Sequence, residues 1–229
     1  MSDVRRAPLS LGAAVGAVQD VLGVVLAGGQ NRRYGEHKAL AMLGGKRIID
    51  RAIGALSGAV CESVIVANDL GLYGSLGLDV RPDIVPDSGV LGGILTAVGW
   101  ADEKGCRAAL VVACDMPFLS PSLLALLAER AESDAVWTPE SRGPRGIEPL
   151  CAAYGVKCRE AIERTLAAGE RAVISALARL PTRRLPRSTI ERYGDPDVLF
   201  LNVNRPADRD RAEALLDTEA ERDMPGIRR

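Results

Sequence analysis

A chain of 229 residues is long enough for one large α/β domain or two small ones. Its 29 basic and 30 acidic residues leave a net charge of −1, which gives no broad electrostatic reason to bind nucleic acid, and no apolar run approaches the ~18 residues of a membrane span. Neither nucleic acid nor a membrane is therefore expected as a partner; with 47% hydrophobic but only 3% aromatic residues, the expected core is aliphatic.

The first twenty residues, MSDVRRAPLSLGAAVGAVQD, place two arginines before a mildly apolar stretch. An export signal would look loosely similar, but this stretch is rich in Gly and Ala and enters a strand with no clear cleavage site. Residues 1–20 are therefore read as an N-terminal extension. The continuous β-branched run at 21–27 suits a strand buried on both faces of a parallel sheet, and 63–67 and 108–113 repeat it. Between these strands lie helical stretches. In 46–56, apolar residues fall at 48, 49, 52, 53 and 56, the rhythm of one buried helix face. Further helices are expected at 91–104 and 120–133, the latter capped by Ser120 with Pro121 in its first turn.

After residue 140 the pattern changes. A loop is expected at 141–146, a strand at 148–155, helices at 156–168 and 171–180, a returning strand at 198–204 and a last helix at 206–217. Strand alternating with helix points to a three-layer, doubly wound α/β fold with a mostly parallel sheet. One domain over 21–217 is the best count, followed by a charged tail, 218–229, read as mobile. The five cysteines are odd in number and no pair has CxxC spacing, so reduced thiols in a cytoplasmic protein are expected rather than a metal finger or a disulfide scaffold.

The chemistry gathers at strand ends. In an open parallel sheet, ligands sit beyond the carboxyl ends of the strands, and the first strand ends in GGQNRRYGEHK. Its glycines let backbone N–H groups approach a phosphate, while Arg32, Arg33 and Lys38 supply charge. The loop fits neither the GxGxxG of a dinucleotide site nor the GxxxxGK[ST] of a P-loop. The third buried strand ends at Asp115, on the same edge, where a carboxylate suits Mg²⁺, a hard ion that prefers oxygen ligands and bridges phosphates. A basic loop and an acid at two strand ends form a nucleotide–metal constellation. Glycines that merely turn the chain, and an Asp115 that merely caps the turn before Pro117, are the plainer readings.

LAGGQNRRYGEHKAL resembles the LAGGxSxRMGxDKAL signature of the molybdenum cofactor guanylyltransferases, and VIVAND, RPDIVPDSGVLGGI, CDMPFLSP, EPLCAAY and FLNVNRPAD extend the resemblance from about residue 21 to 216. It implies a Rossmann-like nucleotidyltransferase fold, Mg²⁺ as cofactor, and GTP and molybdopterin cofactor as substrates. The product would be the guanine dinucleotide cofactor, with release of pyrophosphate. It also implies a transient cofactor-delivery protein. By resemblance, Leu26, Ala27, Gly28 and Gly29 would cradle the nucleotide through backbone groups. Arg33 and Lys38 would stabilise the triphosphate and the departing pyrophosphate. Asn68 and Asp83, with Asp87 as rival to Asp83, would contact the nucleoside end. Asp115 would hold the metal, with Asn202 or Asn204 completing its shell. Three positions depart from the pattern: Tyr34 for Met, His37 for Asp and Val90 for Pro. They leave open a related nucleotidyltransferase that uses CTP or another nucleoside triphosphate, or a sugar-phosphate acceptor; a non-catalytic nucleotide-binding protein of the same fold is the reading from a different class.

Overall fold

The computed structural model describes residues 17–28, 38–142 and 146–223; the side chains of Lys38 and of 219–223 are not among the described ones. The chain starts with β1 (Val18–Leu26), three residues earlier than the apolar run suggests. The hairpin β2 (Met42–Leu43) and β3 (Lys46–Arg47) and the helix α1 (Ile48–Ser57) follow. Next come β4 (Val60–Val66), α2 (Leu70–Tyr73), β5 (Val80–Arg81), α3 (Gly89–Glu103), β6 (Ala108–Ala113) and α4 (Pro121–Arg130). The later half holds β7 (Val136–Pro139), β8 (Cys151–Gly155), α5 (Arg159–Ala167), α6 (Val173–Leu177), β9 (Thr182–Leu185), α7 (Arg187–Ile190), α8 (Pro196–Leu199) and α9 (Pro206–Asp223).

Seven strands form one sheet in the order β5-β4-β1-β6-β8-β7-β9. The pairs β5–β4, β4–β1, β1–β6 and β7–β9 are parallel, and only β8 runs against its neighbours β6 and β7. Side chains alternate across β1, which is why its run is apolar throughout. Val21 and Val25 face one core with α1 and α4, and Leu22, Val24 and Leu26 face the other with α3, α5 and α6. Two helical layers thus cover the sheet, giving the three-layer arrangement expected. Strand order reverses between β1 and β6: the chain goes outward from β1 through β4 and β5, then returns to the other side of β1. Such a reversal opens a crevice beyond the carboxyl ends of the two strands.

The structure departs from the sequence reading in several places, among them the β2–β3 hairpin, α2 and α7, none of which was expected. Residues 198–204 are not a strand: Asp195 accepts a hydrogen bond from the Asp197 N–H at 2.9 Å and Pro196 occupies the first helical turn, so α8 forms there instead. The chain then crosses the rim of the sheet without pairing in it, tied by the Val203 N–H donating to the Asp115 carbonyl at 3.0 Å. The strands β7 and β9 were not expected. The last helix runs to Asp223, into the segment read as a charged tail. No helix among the described residues is long and apolar enough to cross a membrane.

Candidate active site

A cavity of about 1420 Å³ opens at the reversal point. Leu26, Ala27 and Gly28 at the end of β1, Asn68 after β4, Asp83 after β5 and Asp115 after β6 all line it. Six of the residues singled out from sequence therefore meet in one space. Asn202 and Asn204 line it too, from the segment that crosses the rim. Gly29 and Arg33, with Tyr34 and His37, lie outside the described residues; Lys38 opens the 3-10 turn Lys38–Leu40.

Sheet hydrogen bonds define the end of β1. The Ala27 N–H donates to the Val66 carbonyl at 2.9 Å, and the Leu26 carbonyl accepts from the Cys114 N–H at 3.1 Å. The Ala27 N–H is thus committed to the sheet. The cradle expected from the backbone of residues 26–29 has its first N–H beyond the sheet at Gly28. That glycine is exposed, and a Cβ built on it would meet nothing within 4 Å.

Asn68 and Asp83 form a reciprocal pair. The Asn68 Nδ2 donates to Asp83 Oδ2 at 2.9 Å, and the Asp83 N–H donates to Asn68 Oδ1 at 2.9 Å. Burial raises the Asp83 carboxyl above its ordinary pKa, while the Asn68 hydrogen bond opposes that rise. Its rival Asp87 also lines the cavity but sits in left-handed backbone at φ 55°, a conformation Asp tolerates better than most residues. The next N–H, of Ile84, donates to Thr96 Oγ1 at 2.9 Å, which fixes this loop to α3.

The helix α3 begins at the cavity, with Gly89, Val90 and Gly93 on its wall and no acid in its first turn. Its free N–H groups and the positive end of its dipole favour an anion there. Gly93 packs close: a Cβ would stand 3.3 Å from Leu26 Cδ2 and 3.4 Å from Asp83 Oδ1. Asp115, also lining the cavity, follows β6 and is held through its carbonyl by the Val203 N–H.

Sequence reasoning missed several groups at this site. Tyr73 and Arg171 line the cavity, Tyr73 from α2 and Arg171 from the turn before α6. Glu148, in the EPLCAAY segment, is half-buried near Asp115. Burial lifts its carboxyl to about pH 7, against the lowering effect of a backbone hydrogen bond from Leu150; the nearby Asp115 charge lifts it further. Periodicity and composition carry no signal for these three, because each depends on how distant segments meet.

Residues 23–182 match the family model described as the MobA-like NTP transferase domain. The chain is 37% identical over 194 residues to the probable molybdenum cofactor guanylyltransferase of Pelotomaculum thermopropionicum, covering 84% of this chain and 92% of the relative. It is 34% identical over 199 residues to the molybdenum cofactor guanylyltransferase of Desulfosudis oleivorans, covering 86% and 96%. A solved structure, molybdopterin-guanine dinucleotide biosynthesis protein A from Archaeoglobus fulgidus, superimposes with a TM-score of 0.70 at 28% identity over 86% of this chain and 99% of that one. With a family model spanning more than half its length and relatives alike nearly end to end, this chain belongs to the MobA-like NTP transferase family.

Proposed function

We propose that the protein transfers GMP from GTP to the terminal phosphate of molybdopterin cofactor, yielding the guanine dinucleotide cofactor and pyrophosphate. The observation that carries the reading is the single cavity in which Gly28, the Asn68–Asp83 pair, the α3 N-terminus and Asp115 converge. That cavity belongs to a chain whose relatives carry the guanylyltransferase name. A phosphate oxygen of the acceptor attacks the α-phosphorus of GTP. One P–O bond forms, the bond to the β-phosphate oxygen breaks, and pyrophosphate leaves with the electron pair. Such a displacement needs positioning and charge neutralisation more than covalent help from the protein. The Asn68–Asp83 pair holds the nucleoside end, and the Gly28 turn cradles the nucleotide. Arg33, Lys38 and the α3 N-terminus offset phosphate charge.

The donors on the Asp115 side fit a hard divalent cation. They are a carboxylate and the side-chain oxygens of Asn202 and Asn204, and no group of three or more His, Cys, Asp or Glu stands together among the described residues. A protein site with so few ligands suits Mg²⁺ shared with substrate phosphates rather than a closed protein cage. Bound there, the ion would neutralise charge on the triphosphate. Cytoplasmic residence and a transient protein that delivers the cofactor belong to the same proposal.

Incubation with GTP, Mg²⁺ and purified molybdenum cofactor, followed by mass analysis, tests the reaction; the guanine dinucleotide product is expected. Thermal-shift titration with GTP, CTP, UTP and ATP, each with Mg²⁺, tests the base. Stabilisation by CTP alone would overturn the guanine assignment and favour a cytidylyl transferase.

A further inference from the structure

Tyr73 ends the short helix α2, which Asp69 starts by accepting the Leu72 N–H at 3.1 Å. The tyrosine is only 5% exposed and packs into the core on the α1 side of the sheet. Its hydroxyl donates to the Ala27 carbonyl at 3.1 Å, a contact between residues 46 positions apart. The sheet fixes Ala27 on its N–H side through Val66. Beyond that bond, the contact that fixes the Ala27 carbonyl comes from this phenol.

The peptide unit joining Ala27 to Gly28 is planar and carries the Ala27 carbonyl and the Gly28 N–H on opposite edges. Fixing the carbonyl on Tyr73 therefore fixes the N–H, pointing away from the phenol. Without that anchor the unit is free to turn, because Gly28 is exposed, has open space where a Cβ would stand and accepts either sign of φ at little cost. Burial pushes the phenol up to about 12, so it remains a donor throughout the neutral range.

We propose that Tyr73 is a positioning residue for nucleotide binding: its hydroxyl holds the Ala27–Gly28 peptide so that the Gly28 N–H stands at the cavity wall as a fixed donor to an acceptor oxygen of the nucleotide. The proposal rests on the nucleotide reading above. Two oxygens have the required chemistry, the 6-oxo group of guanine and a phosphate oxygen, and a nucleotide series separates them.

The test is Tyr73→Phe in the full chain, which removes the hydroxyl and keeps the ring. Measured against wild type are KM and kcat for GTP, the Kd of GTP and of ATP with Mg²⁺ by calorimetry, and Tm without nucleotide. A hydrogen bond of ordinary strength predicts a rise of about three- to tenfold in KM and Kd for GTP, with kcat within twofold and Tm within about 3 °C. A loss confined to GTP assigns the base oxygen, and an equal loss for ATP assigns phosphate. Unchanged KM and Kd overturn the proposal and leave the nucleotide reading standing. A fall in kcat and Tm without a selective rise in KM also overturns it, since that is a purely structural role. A wild type that binds no nucleoside triphosphate overturns both.

Discussion

At the scale of single residues, two carboxyls near each other have different work. Asp115 is the carboxylate proposed to stand beside the triphosphate; Glu148, close by and half-buried, has its carboxyl lifted by burial to about 7. Replacing Asp115 with Asn keeps the shape and removes the charge. We expect Asp115→Asn to lose at least ~10²-fold in metal-dependent turnover, as for loss of one preorganised charge-stabilising group, with Tm close to wild type. Turnover within a few-fold of wild type would place the metal elsewhere. Glu148 leads to a prediction about stability. The unfolded chain releases this proton near its ordinary value of 4.5, whereas the folded protein keeps it to about 7. Between those values the folded state binds more protons, so stability falls as pH rises through this window and is level above it. The side chain of Glu148→Gln cannot titrate. In EDTA, urea unfolding at pH 5 and pH 8 is expected to show wild type losing roughly 2–3 kcal/mol more than the variant across the window. Parallel losses would mean an ordinary Glu148. Asp115 was legible as a candidate in the sequence because it ends a strongly apolar strand. Glu148 was not, because its raised pKa comes from burial in the folded chain, an effect that local sequence does not carry.

At the scale of elements, the sequence was most readable where the physics is strongest. The apolar runs that end β1 and β4 and make up β6 are buried on both faces, as central strands of a sheet are, although β6 borders the antiparallel β8 on one side. The edge of the sheet was unreadable for the opposite reason: β9 is Thr-Arg-Arg-Leu, with only its last residue buried, and it forms because β7 offers a free edge. The segment 198–204 misleads because its alternation of apolar residues and Asn mimics a strand, while the Asp-Pro pair before it is a helix start. Register at the end of β8 leads to a stability prediction. Gly155 has φ −64° and ψ 143°, so any residue could adopt its backbone. Its constraint is space. A Cβ there would be driven into the backbone of Glu132 and Ser133, which no rotamer change can relieve. The Lys157 N–H donates to the Ser133 carbonyl at 2.8 Å and the Gly155 N–H to the Ala135 carbonyl at 3.0 Å, so that turn is held in place. We expect Gly155→Ala to cost about 1–3 kcal/mol in chemical denaturation, and a loss below ~0.5 kcal/mol would show that the turn yields.

At the scale of the whole molecule, α9 bears on the β2–β3 hairpin near the other end of the described chain. Ala212 on α9 is fully buried in a satellite core of Leu43, Ile48, Leu201 and Val203, with Phe118, Leu215 and Leu216 packed around it. Glu213 reinforces the seat, its carboxylate oxygens accepting from the Gly44 N–H at 3.2 and 3.3 Å. One cluster thus joins α9 to the β2–β3 hairpin, which follows the basic loop in sequence, and to the 200–204 segment that braces Asp115 through Val203. If that junction sets site geometry, damage to it must reach the nucleotide. Ala212→Asp puts an unpaired carboxylate into an apolar cluster, at several kcal/mol unless the helix undocks. A loss of about 3 kcal/mol corresponds to a Tm fall of roughly 6–12 °C for a domain of this size. Arg211→Asp, a charge reversal on the neighbouring exposed position, is the control and is expected to leave Tm nearly unchanged. The informative readout is turnover measured well below the melting range of the variant. With α9 loosened, Asn202, Asn204 and Asp115 lose their brace, so KM for GTP should rise at least about threefold in Ala212→Asp and not in Arg211→Asp. A variant that melts early yet binds GTP as wild type does would make α9 a stabilising clamp without influence on the site.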